Sequence, residues 1–391
     1  MALLRVLSIF GTRPEAIKMS PVVLALKINP QIESRVCVTA QHREMLDQVL
    51  NIFGIVPDLD LNLMRPDQSL AKLTAAIFSR LDPVLEEQKP DWVLVQGDTT
   101  TVMAASLACF YRHIRVGHIE AGLRTNDKWQ PFPEEINRRV ASVVADLHFA
   151  PTEWSRQNLL RENVPDDHIV VTGNPVIDAL HFIAERPETA EVTRLINRIG
   201  ISSRGDSSPK LVLVTAHRRE NFGAPLQRIC NALLFLAEAY ADKIRIVYPV
   251  HLNPNVKGPV YARLGKVPNI ILLPPLDYLP MVHLLKRARL VLTDSGGLQE
   301  EAPSLGVPVL VMREVTERPE GVHAGTVRLV GTDADKIISE TRRLLDNETA
   351  HQAMAQAINP YGDGKAAGRI VQAILKTSIH KTDHIIESTA A

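Results

Sequence analysis

The 391-residue chain is poor in cysteine. Its three cysteines, Cys37, Cys109 and Cys230, lie far apart and form no CxxC or Cys/His spacing, which argues against a structural zinc site and for a reducing compartment. It has no surplus of charge, with Lys+Arg and Asp+Glu both at 44, so net charge predicts neither a nucleic-acid nor an acidic-membrane partner. No apolar run approaches the roughly 20 residues of a membrane helix. Met1–Phe10 is short, is broken by Arg5 and runs straight into Gly11-Thr12-Arg13-Pro14, which reads as a first strand and not a signal peptide; the expected location is cytoplasmic. GxGxxG and GxxxxGK[ST] are both missing, leaving a dinucleotide or P-loop reading without its signature. No short repeat period occurs, which removes a solenoid.

What is present is the composition of an ordinary globular protein, 45% hydrophobic and 23% charged, long enough for two domains. Strands are expected at Leu3–Phe10, Arg35–Ala40, Trp92–Gln96, Val116–Glu120, Leu147–Ala150 and Ile169–Thr172, then at Leu211–Thr215, Arg245–Val250, Ile270–Leu273, Leu290–Thr293 and Val307–Met312. Amphipathic stretches alternate with them, which predicts an α/β fold of two Rossmann-like, doubly wound parallel domains. The Ser-rich stretch 202–209 is linker-like, but Gly173-Asn174-Pro175 is the preferred break. This places a first domain at 1–175 and a second at 176–364, with a last helix, about 365–380, packing back on the first.

In such sheets ligands bind beyond the C-terminal ends of the strands. Leu290–Thr293 runs through Asp294 into Ser295-Gly296-Gly297 and then into helix formers. Backbone N–H groups and the helix dipole there suit a diphosphate, with a helix start capped by Ser295 as the competing reading. After the first strand, Arg13 and Lys18 offer cations to phosphate, with a solvated helix face the plainer account of Lys18. Asp98, ahead of three threonines, reads equally as an N-cap or as a ligand-facing carboxylate. Glu120 ends an apolar strand, where an unpaired buried carboxylate is costly. Glu134 and Glu135 open a helix after a proline-stiffened loop, where the dipole favours acids, though one of them can face a ligand. His217 leaves its strand beside two arginines and can hold an anion or move a proton.

Phe10-Gly11-Thr12-Arg13-Pro14-Glu15, Gly97-Asp98-Thr99-Thr100, His118-Ile119-Glu120-Ala121-Gly122-Leu123-Arg124, Ala216-His217-Arg218-Arg219-Glu220-Asn221 and Thr293-Asp294-Ser295-Gly296-Gly297-Leu298-Gln299-Glu300-Glu301 together resemble the non-hydrolysing bacterial UDP-N-acetylglucosamine 2-epimerases, from about Val6 to Arg369. The resemblance implies a GT-B-like arrangement, with a nucleotide sugar in the cleft between two Rossmann-like domains, a homodimer, and UDP-GlcNAc and UDP-ManNAc as the interconverted pair. It implies no cofactor and no metal, because UDP is eliminated to give 2-acetamidoglucal and then added back.

By motif match Asp98, Glu120 and Glu134 are the carboxylates at the sugar, with the acid and base steps unassigned among them. His217 matches a histidine that contacts the diphosphate. Arg13, Lys18, Ser295, Gly296 and Gly297 would hold the diphosphate, Glu301 the ribose, and Arg318 a further part of the nucleotide. Leu276 stands where a Gln is usual and Met281 where an aromatic is usual; backbone contact to uracil would survive the first change and Met can pack on a base. Many relatives bind a second UDP-GlcNAc as activator. Gln41, His42 and Glu44 match one part of that site, with Arg218 and His251 as further members. Glu44 replaces a common Gln, and Asp67 lies where several relatives carry Arg; acid beside a diphosphate weakens it. A modified UDP-sugar as substrate, a hydrolysing epimerase, a glycosyltransferase and a silent nucleotide-sugar sensor are the alternatives.

Overall fold

The computed structural model describes residues 3–39, 43–63, 65, 68–201 and 209–388. Gln41, His42 and Asp67, and the Ser-rich stretch 202–208, lie outside them, as does the side chain of Glu44. The chain divides into two compact units, one of Met1–Ala179 with Tyr361–Ala391 and one of Leu180–Pro360.

The first unit holds β1 (Leu4–Phe10), α1 (Arg13–Lys27), β2 (Ile32–Val38), α2 (Arg43–Phe53), β3 (Leu59–Asp60), α3 (Leu70–Gln88), β4 (Trp92–Gln96), α4 (Thr100–Tyr111), β5 (Arg115–Ile119), α5 (Glu134–Val144), β6 (Leu147–Ala150), α6 (Glu153–Arg161), β7 (Ile169–Val171) and the start of α7 (Pro175–Ala184). Its seven strands run in the order β3-β2-β1-β4-β5-β6-β7, all parallel. Their central residues are buried on both faces, which is why they read as continuous apolar runs. The division between the units falls inside α7 and not ahead of it. Val176 and Ile177 pack with Ile17 and Tyr361, and the Asp178 carboxylate accepts the backbone N–H groups of Ala366 and Ala367, so the first turn of α7 stays with the first unit.

The second unit continues with α8 (Ala190–Ile199), β8 (Lys210–Thr215), α9 (Ala224–Tyr240), β9 (Ile244–Pro249), α10 (Pro254–Leu264), β10 (Ile270–Leu273), α11 (Tyr278–Leu285), β11 (Ala288–Thr293), α12 (Gly296–Ser304), β12 (Val309–Val311), α13 (Pro319–His323), β13 (Val327–Leu329), α14 (Ala334–Asp346) and α15 (Glu348–Ala355). Its parallel sheet runs β10-β9-β8-β11-β12-β13. The last helix, α16 (Ala366–Ser388), belongs to the first unit and lies against α1; it runs further than its expected end near 380. Among the described residues no helix is long and apolar enough to cross a membrane.

Both sheets reverse strand order at one place, between β1 and β4 and between β8 and β11. At such a switch point neighbouring connections leave in opposite directions and open a crevice at the C-terminal edge. Arg13, at the start of α1, and Asp98, His217 and Ser295 stand just past these four strands.

Candidate active site

In the first unit the loop after β1 is locked before it can meet any ligand. Thr12 caps α1, and Glu15 closes a capping box, accepting the N–H groups of Gly11 at 2.9 Å and Thr12 at 2.7 Å on one oxygen and the Thr99 hydroxyl at 2.6 Å on the other. Burial raises the Glu15 pKa against the pull of those hydrogen bonds. A Cβ on Gly11 would run into the Thr39 hydroxyl, so only glycine lets these two chains approach. The result is a fixed start for the helix that presents Lys18.

Lys18 reaches both oxygens of Glu120, at 2.5 and 2.7 Å. Glu120 lies just past β5, where it is buried and has φ of 63°. A glutamate in the left-handed region costs on the order of 1 kcal/mol or more, which the surroundings must offset. Here two amides complete the hold, Gln96 Nε2 at 2.5 Å and Asn174 Nδ2 at 2.9 Å. Lys18, Gln96 and Asn174 all present N–H donors to this carboxylate, which fits the ionised form. His118, two residues earlier, donates from Nε2 to the Gly97 carbonyl at 2.7 Å. Burial pushes this histidine down to about 4.

Asp98 does not cap α4. Thr99 does, accepting from Val102, and the Asp98 carboxylate pairs with Arg138 on α5 instead. Asn137 adds a hydrogen bond to the Asp98 carbonyl at 2.9 Å. The neighbouring acids of α5 take different work. Glu135 is buried and holds Arg138, Arg139 and the N–H groups of Thr125 and Asn126. Glu134 is half-buried and makes no hydrogen bond or ion pair among the described residues. Arg13 is half-buried at the first turn of α1.

In the second unit Ser295 is the N-cap residue of α12, yet its side chain makes no capping bond. The helix starts on Gly296, and the Ser295 hydroxyl leaves the N–H groups of its first turn uncapped. The turn is held from behind: the Thr293 hydroxyl accepts the Ser295 N–H at 2.9 Å and meets the Thr215 hydroxyl at 2.6 Å. Asp294, fully buried, accepts the backbone N–H groups of His217 and Arg218, each at 2.8 Å, and Asn221 Nδ2 at 3.0 Å. His217 stacks on His251, ring centres 5.4 Å apart, so the sequence-predicted diphosphate histidine and one residue expected at an activator site lie together. Burial lowers the His217 pKa, with Asp294 pulling against it and His251 and Arg218 adding to it.

Glu301 accepts the Tyr278 hydroxyl at 2.9 Å, and Arg318 reaches the buried Glu300 at 2.7 Å. Arg218 lies 3.6 Å from Glu317. Burial works to raise Glu317, but the charges of Arg318 and Arg313 outweigh it and hold it at about 2. Leu276 and Met281 are half-buried against the core that backs β11. Sequence reasoning did not single out Gln96, Arg138, Asn174, Asn221, Tyr278 or Asp294. A charged residue after an apolar strand was a usable signal for Asp294. A cavity of about 680 Å³ opens at the opposite edge of the first sheet, between Phe110, Arg115 and His148, and holds none of the residues above.

Two doubly wound sheets, one ending in clamped carboxylates and the other in a glycine turn backed by a buried acid, define an α/β protein of the class that handles phosphorylated ligands at switch points. The chain belongs to the UDP-N-acetylglucosamine 2-epimerase family, which it matches over residues 24–375. It is 57% identical to the UDP-N-acetylglucosamine 2-epimerase of Salmonella typhimurium over 95% of this chain and 98% of that one. It is also 57% identical to the enzyme of that name from Escherichia coli K12, over 96% and 100%. The crystal structure of UDP-GlcNAc 2-epimerase from Neisseria meningitidis bound to UDP-GlcNAc is 51% identical, with a TM-score of 0.86 over 95% of this chain and 100% of that chain.

Proposed function

We propose that the protein interconverts UDP-GlcNAc and UDP-ManNAc by inverting C2, without releasing free sugar. The reading is supported by its relatives' named activity and the UDP-GlcNAc bound in the Neisseria meningitidis structure. The observation that carries it is Glu120, forced into the left-handed region and held by Lys18, Gln96 and Asn174. The C2 proton is not next to a carbonyl, so the C1–O bond to UDP breaks as that proton leaves, giving enzyme-bound 2-acetamidoglucal. C2 is then protonated on its other face and UDP oxygen adds back to C1. Glu120, met by N–H donors, enters as the ionised acceptor of the proton. Asp98, paired with Arg138, keeps a second negative charge at the same sheet edge, and Glu134, whose side chain has no hydrogen bond or ion pair among the described residues, is the group proposed to serve the opposite face.

The Ser295-Gly296-Gly297 turn and His217 hold the diphosphate, Glu301 the ribose and Arg318 a further part of the nucleotide. The turn keeps UDP bound between the two half-reactions. The finer features, a homodimer in the cytoplasm supplying ManNAc units for surface polysaccharide, rest on the family resemblance.

The test is incubation with UDP-GlcNAc alone in D₂O, followed by NMR of the sugar. UDP-ManNAc carrying deuterium at C2 is the expected product. Free ManNAc would point to a hydrolysing enzyme, and an unchanged spectrum would overturn the proposal.

A further inference from the structure

We infer that Asp294 is a positioning residue that holds His217 as the Nδ1–H tautomer, leaving Nε2 as the ring nitrogen that meets the diphosphate. Asp294 follows β11 directly and is completely buried. One oxygen, Oδ2, takes three N–H donors, from the backbone of His217 and Arg218 and from Asn221. That triple hold fixes how the carboxylate is turned. The other oxygen, Oδ1, is buried with no hydrogen bond among the described residues, and His217 Nδ1 lies 3.5 Å from it.

A bare buried carboxylate oxygen is costly, and a ring N–H is the group that relieves it. At 3.5 Å the contact is longer than a good hydrogen bond, but such bonds tighten when substrate arrives. The stack on His251 restrains the ring plane meanwhile. The charged and titratable groups facing His217 are Asp294 from the turn after β11, His251 from the loop after β9, and Arg218 beside it. His251 and Arg218 disfavour a second proton and Asp294 favours it, so a charged ring needs both Asp294 at Nδ1 and a phosphate oxygen at Nε2. The catalytic consequence rests on the epimerase reading; the tautomer does not.

Asp294→Asn tests both. The three donors keep the Asn carbonyl oxygen at the Oδ2 position, so its amide nitrogen faces Nδ1 and the ring must turn a lone pair towards it. In ¹⁵N-histidine-labelled, ligand-free protein, with His217→Asn identifying the signal, the wild type should carry its neutral-ring proton on Nδ1 and Asp294→Asn on Nε2. Asp294→Asn should also lower kcat about 10²-fold or more. The same change in the His217→Asn background should add less than about threefold, as expected for residues acting as one unit. Wild-type His217 protonated on Nε2 would overturn the inference, even if Asp294→Asn proves unfolded. So would an equal loss from Asp294→Asn in both backgrounds. A wild type with the Nδ1 proton but no turnover of UDP-GlcNAc would instead sink the epimerase reading and leave the positioning standing.

Discussion

The two sheets end in opposite kinds of chemistry. At the edge of the first unit the polar groups are ionised side chains locked to one another, Lys18 to Glu120 and Arg138 to Asp98. At the edge of the second, beside the Arg318–Glu300 pair, stand backbone N–H groups organised by one buried aspartate and by threonine hydroxyls behind the turn. Paired side-chain charges can exchange protons with a substrate. Backbone donors cannot, but they hold an anion without having to be ordered first. Both sheets have the same switch-point order, and on the proposed reading the residues after the strands make one edge move protons and the other hold an anion.

The sharpest way to break this division is Glu120→Gln. If the first edge moves protons, kcat falls about 10²–10⁴-fold, while affinity for UDP stays within about twofold, since only transition-state interactions are lost. Steady-state kinetics and a calorimetric titration with UDP measure both. A variant that is folded, turns over normally and binds UDP poorly would reverse the assignment. The variant's circular dichroism matters, because the amide brings a donor into a shell made of donors.

The next effect is on stability in acid. His118 on β5 is held at about 4 and His148 on β6 at about 3, both by burial. As pH falls below 6.5 the unfolded chain takes up protons that the folded one refuses, so stability falls with pH down to those values. For His118 alone the loss is on the order of 3 kcal/mol. Glu15, raised above its ordinary 4.5 by burial, acts in the opposite sense as pH falls towards 4.5 and offsets part of that loss. All three tryptophans, Trp92, Trp129 and Trp154, lie in the first unit. Urea unfolding followed by tryptophan fluorescence should therefore lose stability steeply between about pH 6.5 and 4; a flat profile would show that these histidines are not kept neutral.

Much of this contrast could be read from the chain. Fully buried parallel strands are continuous apolar runs, so β4, β6 and β10 match their expected bounds, and the polar residues just after the strands stand out against them. The elements not anticipated are short or interrupted: β3 has two residues, β13 three, α13 five, and α10 contains Pro259; α15, eight residues capped by Asn347, was missed as well. The supporting shell was hidden for another reason. Asn174 meets Glu120 across 54 positions and Asn221 meets Asp294 across 73, and no local pattern specifies a partner at that distance. Asp98 shows the same limit: cap and ligand-facing acid look alike in sequence until Thr99 is seen to cap and Arg138 to pair.

A smaller effect sharpens the second edge. Gly296→Ala puts a methyl group at 3.3 Å from Glu317 Oε1 and 3.4 Å from Arg318 Cζ, at the mouth of the helix where a phosphate would sit. The backbone there is not left-handed, but the contacts are tight, so the Glu317 and Arg318 side chains must give by a few tenths of an ångström, and fold stability should change by less than about 1 kcal/mol. UDP affinity should fall about tenfold, roughly 1.4 kcal/mol. Equal affinity for UDP in this variant would remove the anion-holding role from the turn.

The smallest effect separates two helix starts that look alike in sequence. Thr12 caps α1 and is answered by Glu15, whereas Ser295 stands at the same position of α12 and its hydroxyl caps nothing. Thr12→Ala should therefore cost about 1 kcal/mol, the ordinary loss of a working cap. Ser295→Ala should cost only a few tenths, because no helix bond is removed. If the hydroxyl serves the diphosphate, the price of Ser295→Ala appears in UDP binding and not in the melting curve. Thermal melts with and without UDP distinguish the cases: a ligand-free loss as large as that of Thr12→Ala would make Ser295 an ordinary cap and return the turn to a structural role.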